Sequence, residues 1–180
     1  IMKLIECVPN FSEGNDKSII EAIVNAITSV DGINLLDVDA GKDTNRTVVT
    51  FVGEPENIIY AAFQSIKKAS ELIDMTKHKG EHPRMGATDV CPFIPIQNIT
   101  MKECINYSKT LALKVSKELN ISIYLYENSA SNKVRVNLSS IRTRNRNQIF
   151  TVRRDINCLN LVPNTAGPNG RTTVLSKEVD

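Results

Sequence analysis

Both histidines of the chain fall inside the fifteen residues from His78 to Pro92, read HKGEHPRMGATDVCP. Lys79, Glu81, Arg84 and Asp89 share the stretch, so an acid, a base and fixed cations are gathered together. The stretch has no helical or strand period of its own. Gly80 and Gly86 loosen the backbone, and Pro83 removes an amide donor and pushes His82 toward an extended conformation. A loop of this kind between firm elements is the arrangement expected of an active site. The plainer reading, which composition alone favours, is a solvated polar loop. Imidazole titrates near neutral pH, so a histidine here suits proton transfer. For His78, a histidine that only hydrogen-bonds the backbone stays open.

The two histidines are four apart, which on a helix would make a metal-binding pair. Gly80 between them and Pro83 after them disfavour that helix, the sequence is not H-E-x-x-H, and no metal is expected. Arg84 suits bidentate binding of a carboxylate, and Lys79 a point charge for a second one. Surface ion pairs with Glu81 or Asp89 are the competing reading and are worth little. Cys91 sits in the apolar run VCPFIPI and reads as core rather than nucleophile.

Asp37 and Asp39 stand where the apolar residues of a strand should have continued. Two apart, they face the same side of that strand. A carboxylate there costs burial energy unless solvated or paired, so one of them, Asp39 by preference, opens onto a cleft. Asn10 and Asn45 also lie at strand ends.

The elements that must hold these residues read as follows. Lys3 to Val8 is a first strand, ending in the loop PNFSEG. Apolar residues at Ile19, Ile20, Ile23, Ala26, Ile27 and Val30 follow helical spacing, with Asn15 or Asp16 as cap and Asp31-Gly32 at the close. Ile33 to Ala40 and Thr47 to Val52 are strands joined by a turn. Glu54-Pro55 opens a long helix with Ile58, Ile59, Ala62, Phe63, Ile66, Ala69, Leu72 and Ile73 on its buried face. Val90 to Ile96 is extended, and its two prolines place it at a sheet edge. Thr100-x-x-Glu103 is a capping box for a third helix, and Ile121 to Tyr126 is a strand. The order β-α-β-β-α-β-α-β predicts an α+β fold: a ferredoxin-like split βαβ sandwich, its mixed sheet carrying helices on one face. Beyond Glu127 the chain turns polar and basic (RTRNRN, Arg142 to Asn147), then Asn-, Gly- and Pro-rich.

With 180 residues, 41% of them apolar, the chain can bury a core. No window approaches eighteen apolar residues, so no membrane span is expected. Four scattered cysteines without a C-x-x-C pair fit neither a zinc cluster nor a disulfide framework, and a cytoplasmic, reduced protein is expected. A net charge of +2 and a basic run without interleaved aromatics give nucleic acid no support.

At ECVPNFSEG (Glu6 to Gly14), LLDVDAG (Leu35 to Gly41), TNRTVVTFVG (Thr44 to Gly53), LIDMTKHKGEHPRMGATDVCPFIPI (Leu72 to Ile96) and YLYE (Tyr124 to Glu127) the sequence closely resembles the N-terminal subdomain of the formiminotransferases. The resemblance implies transfer of the formimino group from N-formimino-L-glutamate to tetrahydrofolate, a co-substrate, in histidine breakdown and one-carbon metabolism. It implies His82 as catalytic base and Asp39 as its electrostatic support, with Arg84, Asn10 and Lys79 binding substrate. It also implies a homodimer or a second transferase subdomain as partner, with folate in the groove between subdomains. On this reading residues 1–150 form the N-terminal subdomain and 151–180 a divergent, loosely structured C-terminal segment. The alternative is a non-catalytic folate-binding or interaction protein that retains only this subdomain.

Overall fold

Strand β4, Arg46–Gly53, alternates half-buried and buried residues from end to end, the signature of a strand with one face on a core. The computed structural model containing it describes residues 2–81, 85–131, 133, 136–139 and, as backbone, 158–163. On one side β4 pairs antiparallel with β3, Asn34–Gly41; on the other it pairs antiparallel with β1, Leu4–Cys7, and β2, Asn10–Phe11. The β1–β2 line pairs in turn, antiparallel, with β5, Thr88–Gln97. Helix α1, Lys17–Thr28, connects β2 to β3, and helix α2, Pro55–Leu72, connects β4 to β5. Each crossover therefore leaves a slot that an antiparallel strand fills, which is the ferredoxin-like split βαβ arrangement. Helix α3, Met101–Leu119, leads on to β6, Ser122–Leu125. The fold is α+β.

The helices start where local chemistry dictates. Asp16 caps α1 by accepting the amides of Ser18 at 2.9 Å and Ile19 at 3.4 Å. Pro55 occupies the first turn of α2. In α3 the Glu103 amide donates to Thr100 Oγ1 at 3.3 Å, and the Thr100 amide donates to the Glu103 carboxylate at 2.8 Å, a complete capping box. Helices α1, α2 and α3 pack on one face of the sheet, α2 between α1 and α3. There Ile5, Cys7, Phe11, Val49, Phe51, Cys91 and Phe93 meet Ile23, Ile27, Ile58, Ile66, Leu111 and Val115 in one core.

Two features depart from the sequence expectation. The segment with two prolines is no edge: β5 runs ten residues through the sheet interior, paired on its other side with β7, Cys158–Pro163. Its prolines fall where the ladder is already interrupted. Pro92 lies beside the break between β1 and β2, its carbonyl accepting the Val8 amide at 3.2 Å, and Pro95 lies at the register shift near Ile5. Strand β7 itself stands where the sequence pattern indicates no element; it runs parallel to both β5 and β6 and fills the slot between them. The basic run at Arg142, Arg144 and Arg146 lies outside the described residues.

On the face opposite α1, α2 and α3 a smaller cluster of Val90, Tyr126 and Leu138, joined by Met85 and Tyr124, covers the β5–β6 end. The β3–β4–β2 portion is more open, and the edge strand β3 is exposed along nearly its whole length.

Candidate active site on the open sheet face

Register sets up a row across the sheet. Asp39 lies opposite Val48, Val48 opposite Asn10, and Asn10 opposite Val90. Residues directly opposite share a face, and Val48 points away from the core that holds its neighbour Val49. Asp39 and Asn10 thus stand on the face opposite α1, α2 and α3, two strands apart, roughly 10 Å at the usual strand spacing. Asp37, opposite Thr50, is the next residue along that face of β3. Both aspartates are exposed and neither is in an ion pair among the described residues, so each carboxylate keeps its solvation. Asn10 is half-buried, and its amide Nδ2 donates back to the Val8 carbonyl at 3.1 Å.

The histidine-bearing loop is fastened to this frame on both sides. Downstream, the Ser12 amide donates to the Ala87 carbonyl at 2.8 Å and the Ser12 hydroxyl to the Gly86 carbonyl at 2.7 Å. Asp89 is the extra residue where β5 bulges against β2, since Phe11 faces Thr88 and Asn10 faces Val90. It is buried, and its carboxylate accepts the Met85 amide at 3.2 Å.

Upstream, Asn45 holds three segments together. It sits in the turn between β3 and β4 with φ 46°, a conformation asparagine tolerates. Its Oδ1 accepts the Gly14 amide and the Asn15 side-chain amide, each at 2.9 Å. Its Nδ2 donates to the Lys79 carbonyl at 2.9 Å and lies 3.3 Å from His78 Nδ1. Gly80 packs so closely on this turn that a Cβ there would come within 2.5 Å of the Thr44 carbonyl oxygen.

His78 is therefore half-buried against Asn45, and Lys79 is exposed with its carbonyl engaged by that turn. His82 and Arg84 lie outside the described residues. Cys91 is core, its sulfur 3.5 Å from that of Cys7, and burial pushes the Cys7 thiol well up. The Cys104 thiol is pushed up to about 12 by burial, with the Glu103 charge adding to it. Neither raised thiol is a ready thiolate nucleophile. Sequence reading placed Asn45 at a strand end but missed its clamping role. The available signal was an asparagine in a tight turn, where a left-handed residue was needed.

Residues 4–169 match the formiminotransferase domain, N-terminal subdomain. The formimidoyltransferase-cyclodeaminase of Dictyostelium discoideum is 56% identical over 140 residues, covering 78% of this chain and 26% of that protein. The glutamate formimidoyltransferase of Streptococcus pyogenes serotype M1 is 52% identical over 140 residues, 78% of this chain and 47% of that protein. That of Thermoplasma acidophilum is 46% identical over 144 residues, 80% of this chain and 48% of that protein. The chain thus spans between about a quarter and a half of the length of these relatives.

Proposed function

We propose that this chain, which belongs to the formiminotransferase family as its N-terminal subdomain, supplies the acid–base half of a formimino-transfer site. The substrates are N-formimino-L-glutamate and tetrahydrofolate; the products are 5-formiminotetrahydrofolate and glutamate, as histidine breakdown and one-carbon metabolism require. The pteridine ring nitrogen attacks the formimino carbon, and His82 takes the proton that this nitrogen loses. The bond from the formimino carbon to the glutamate nitrogen then breaks as His82 passes that proton to the glutamate nitrogen, which leaves as the amine of glutamate. Asp39 stabilises the positive charge that develops on His82. Asn10, Lys79 and Arg84 hold substrate carboxylates or amides.

The observation that carries this reading is the register row. It puts Asp39 and Asn10 together on an open sheet face, in the same sheet whose strands and turns anchor the loop on either side of His82. The partner that completes the site is a second transferase subdomain, and the assembled enzyme is a homodimer. A cytoplasmic location belongs to the same proposal, supported by the unbridged thiols of Cys7, Cys91 and Cys104. The test is a formimino-transfer assay on the longest natural polypeptide that carries this chain, with both substrates. Substituting His82 or Asp39 should lower turnover while leaving the fold intact.

A further inference from the structure

We infer that Asn45 is a positioning residue that holds His78 as the neutral tautomer with its proton on Nε2. The backbone N–H of Gly14 can only donate. It points at one side-chain atom of Asn45 at 2.9 Å, so that atom is the amide oxygen. The other atom faces the Lys79 carbonyl, which can only accept, at 2.9 Å, so it is the NH2 group. The orientation of the amide is thus fixed from both ends, independently of His78.

The Asn45 amide is then fully used. Its oxygen takes two donors, Gly14 N–H and Asn15 Nδ2. Of its two N–H bonds, one goes to Lys79 and the other is directed at His78 Nδ1, 3.3 Å away. A ring nitrogen facing an N–H donor must present its lone pair. The proton of the neutral ring accordingly sits on Nε2, which is buried. The Nδ1–H tautomer and the imidazolium would each set two hydrogens against each other at the Asn45 contact. The same contact ties the tautomer to the loop's position, because Asn45 also grips the adjoining carbonyl of Lys79.

This inference deepens the proposed transferase reading and rests on it only for its kinetic consequence. On that reading His78 presents a fixed ring N–H while His82 carries the base. Asn45 acts through His78 and touches no reacting atom.

The experiment is imidazole nitrogen NMR on the folded, labelled chain. The His82→Ala variant leaves one histidine, so its ring signals belong to His78. The expected spectrum shows protonated Nε2 and unprotonated Nδ1 at neutral pH; the reverse pattern overturns the proposal and needs no further variant. Asn45→Asp keeps the size, the turn conformation and the acceptor for Gly14, but offers His78 a carboxylate oxygen in place of N–H. It should shift His78 toward the Nδ1-protonated or doubly protonated form, and an unchanged ring spectrum in the folded variant would remove Asn45 from the account. In the active transferase, Asn45→Asp should lower kcat by on the order of tenfold to a hundredfold with a smaller change in KM. A tautomer shift without any transferase activity in the parent protein would leave the inference standing and count against the functional reading alone.

Discussion

Asp39 and Asn10 flank Val48 from its two sides, each the direct cross-strand partner of that one residue. Their side chains consequently lie in a single row on the face opposite α1, α2 and α3, and neither loop motion nor side-chain rotation is needed to put them there. The precision comes from the ladder, which resists sliding because a one-residue slip would turn every core residue of β4 outward.

Asp39→Asn should lower the rate of formimino transfer by roughly tenfold to a hundredfold, as expected for loss of a charge that stabilises the transition state. Asp37→Asn removes an equal charge from the same strand and the same face, one side-chain step away. It should change the rate by less than about threefold. Because both residues are exposed, each variant should keep its stability within about 0.5 kcal/mol. Equal kinetic effects from the two substitutions would show that the carboxylates act only through overall charge.

Gly80→Ala tests the upstream fastening of the loop. The added Cβ would meet the Thr44 carbonyl oxygen at 2.5 Å and its carbon at 3.1 Å, both backbone atoms that cannot turn aside. The loop must move off the turn, weakening the Asn45 contacts to Lys79 and His78. The global Tm should fall by only a few degrees, since the helix–sheet core is untouched. Hydrogen exchange at the Gly14 amide, which Asn45 shields, should quicken and transfer should slow. Unchanged protection of Gly14 would mean that the loop and turn are not coupled.

A pH dependence follows from the start of α3. The Glu103 carboxyl is held down to about 2, first by the hydrogen bond from Lys3 at 2.6 Å and then by the Thr100 hydroxyl and amide. A depressed carboxyl stabilises the fold in its ionised form. That contribution is whole above the ordinary value near 4.5 and is lost as pH falls toward 2. Wild-type protein should melt above Glu103→Gln at pH 6, and the gap between the two should close on acidification from about pH 4.5 to pH 2. A gap that widened over that range would contradict the assignment.

Much of this molecule is written locally. The Asp16 cap, the Thr100–Glu103 capping box, the proline at the start of α2 and the shared face of Asp37 and Asp39 all depend on residues within a few positions of one another. Sequence reads such features directly. The placement of β5 depends on something else, namely where β1 breaks on the neighbouring strand. Two prolines suggest an edge until a partner with a gap at Val8 and Pro9 accommodates Pro92. Strand β7, CLNLVP, is a short apolar run amid Asn-, Gly- and Pro-rich sequence, and it is the slot left between β5 and β6 that recruits it. Asn45 belongs to the same class. Its partners Gly14, Asn15, His78 and Lys79 come from two distant segments, so its role exists only once the chain is folded.

The most direct test of the central claim is formimino transfer by the full-length polypeptide that carries this chain, with and without His82→Ala. Formiminoglutamate and tetrahydrofolate are supplied together, and formation of 5-formiminotetrahydrofolate is followed. The account predicts transfer by the parent protein and a loss of about a hundredfold or more in the variant, the scale expected when a general base is removed. A folded parent protein that produces no 5-formiminotetrahydrofolate, or a variant that matches it, would contradict the claim.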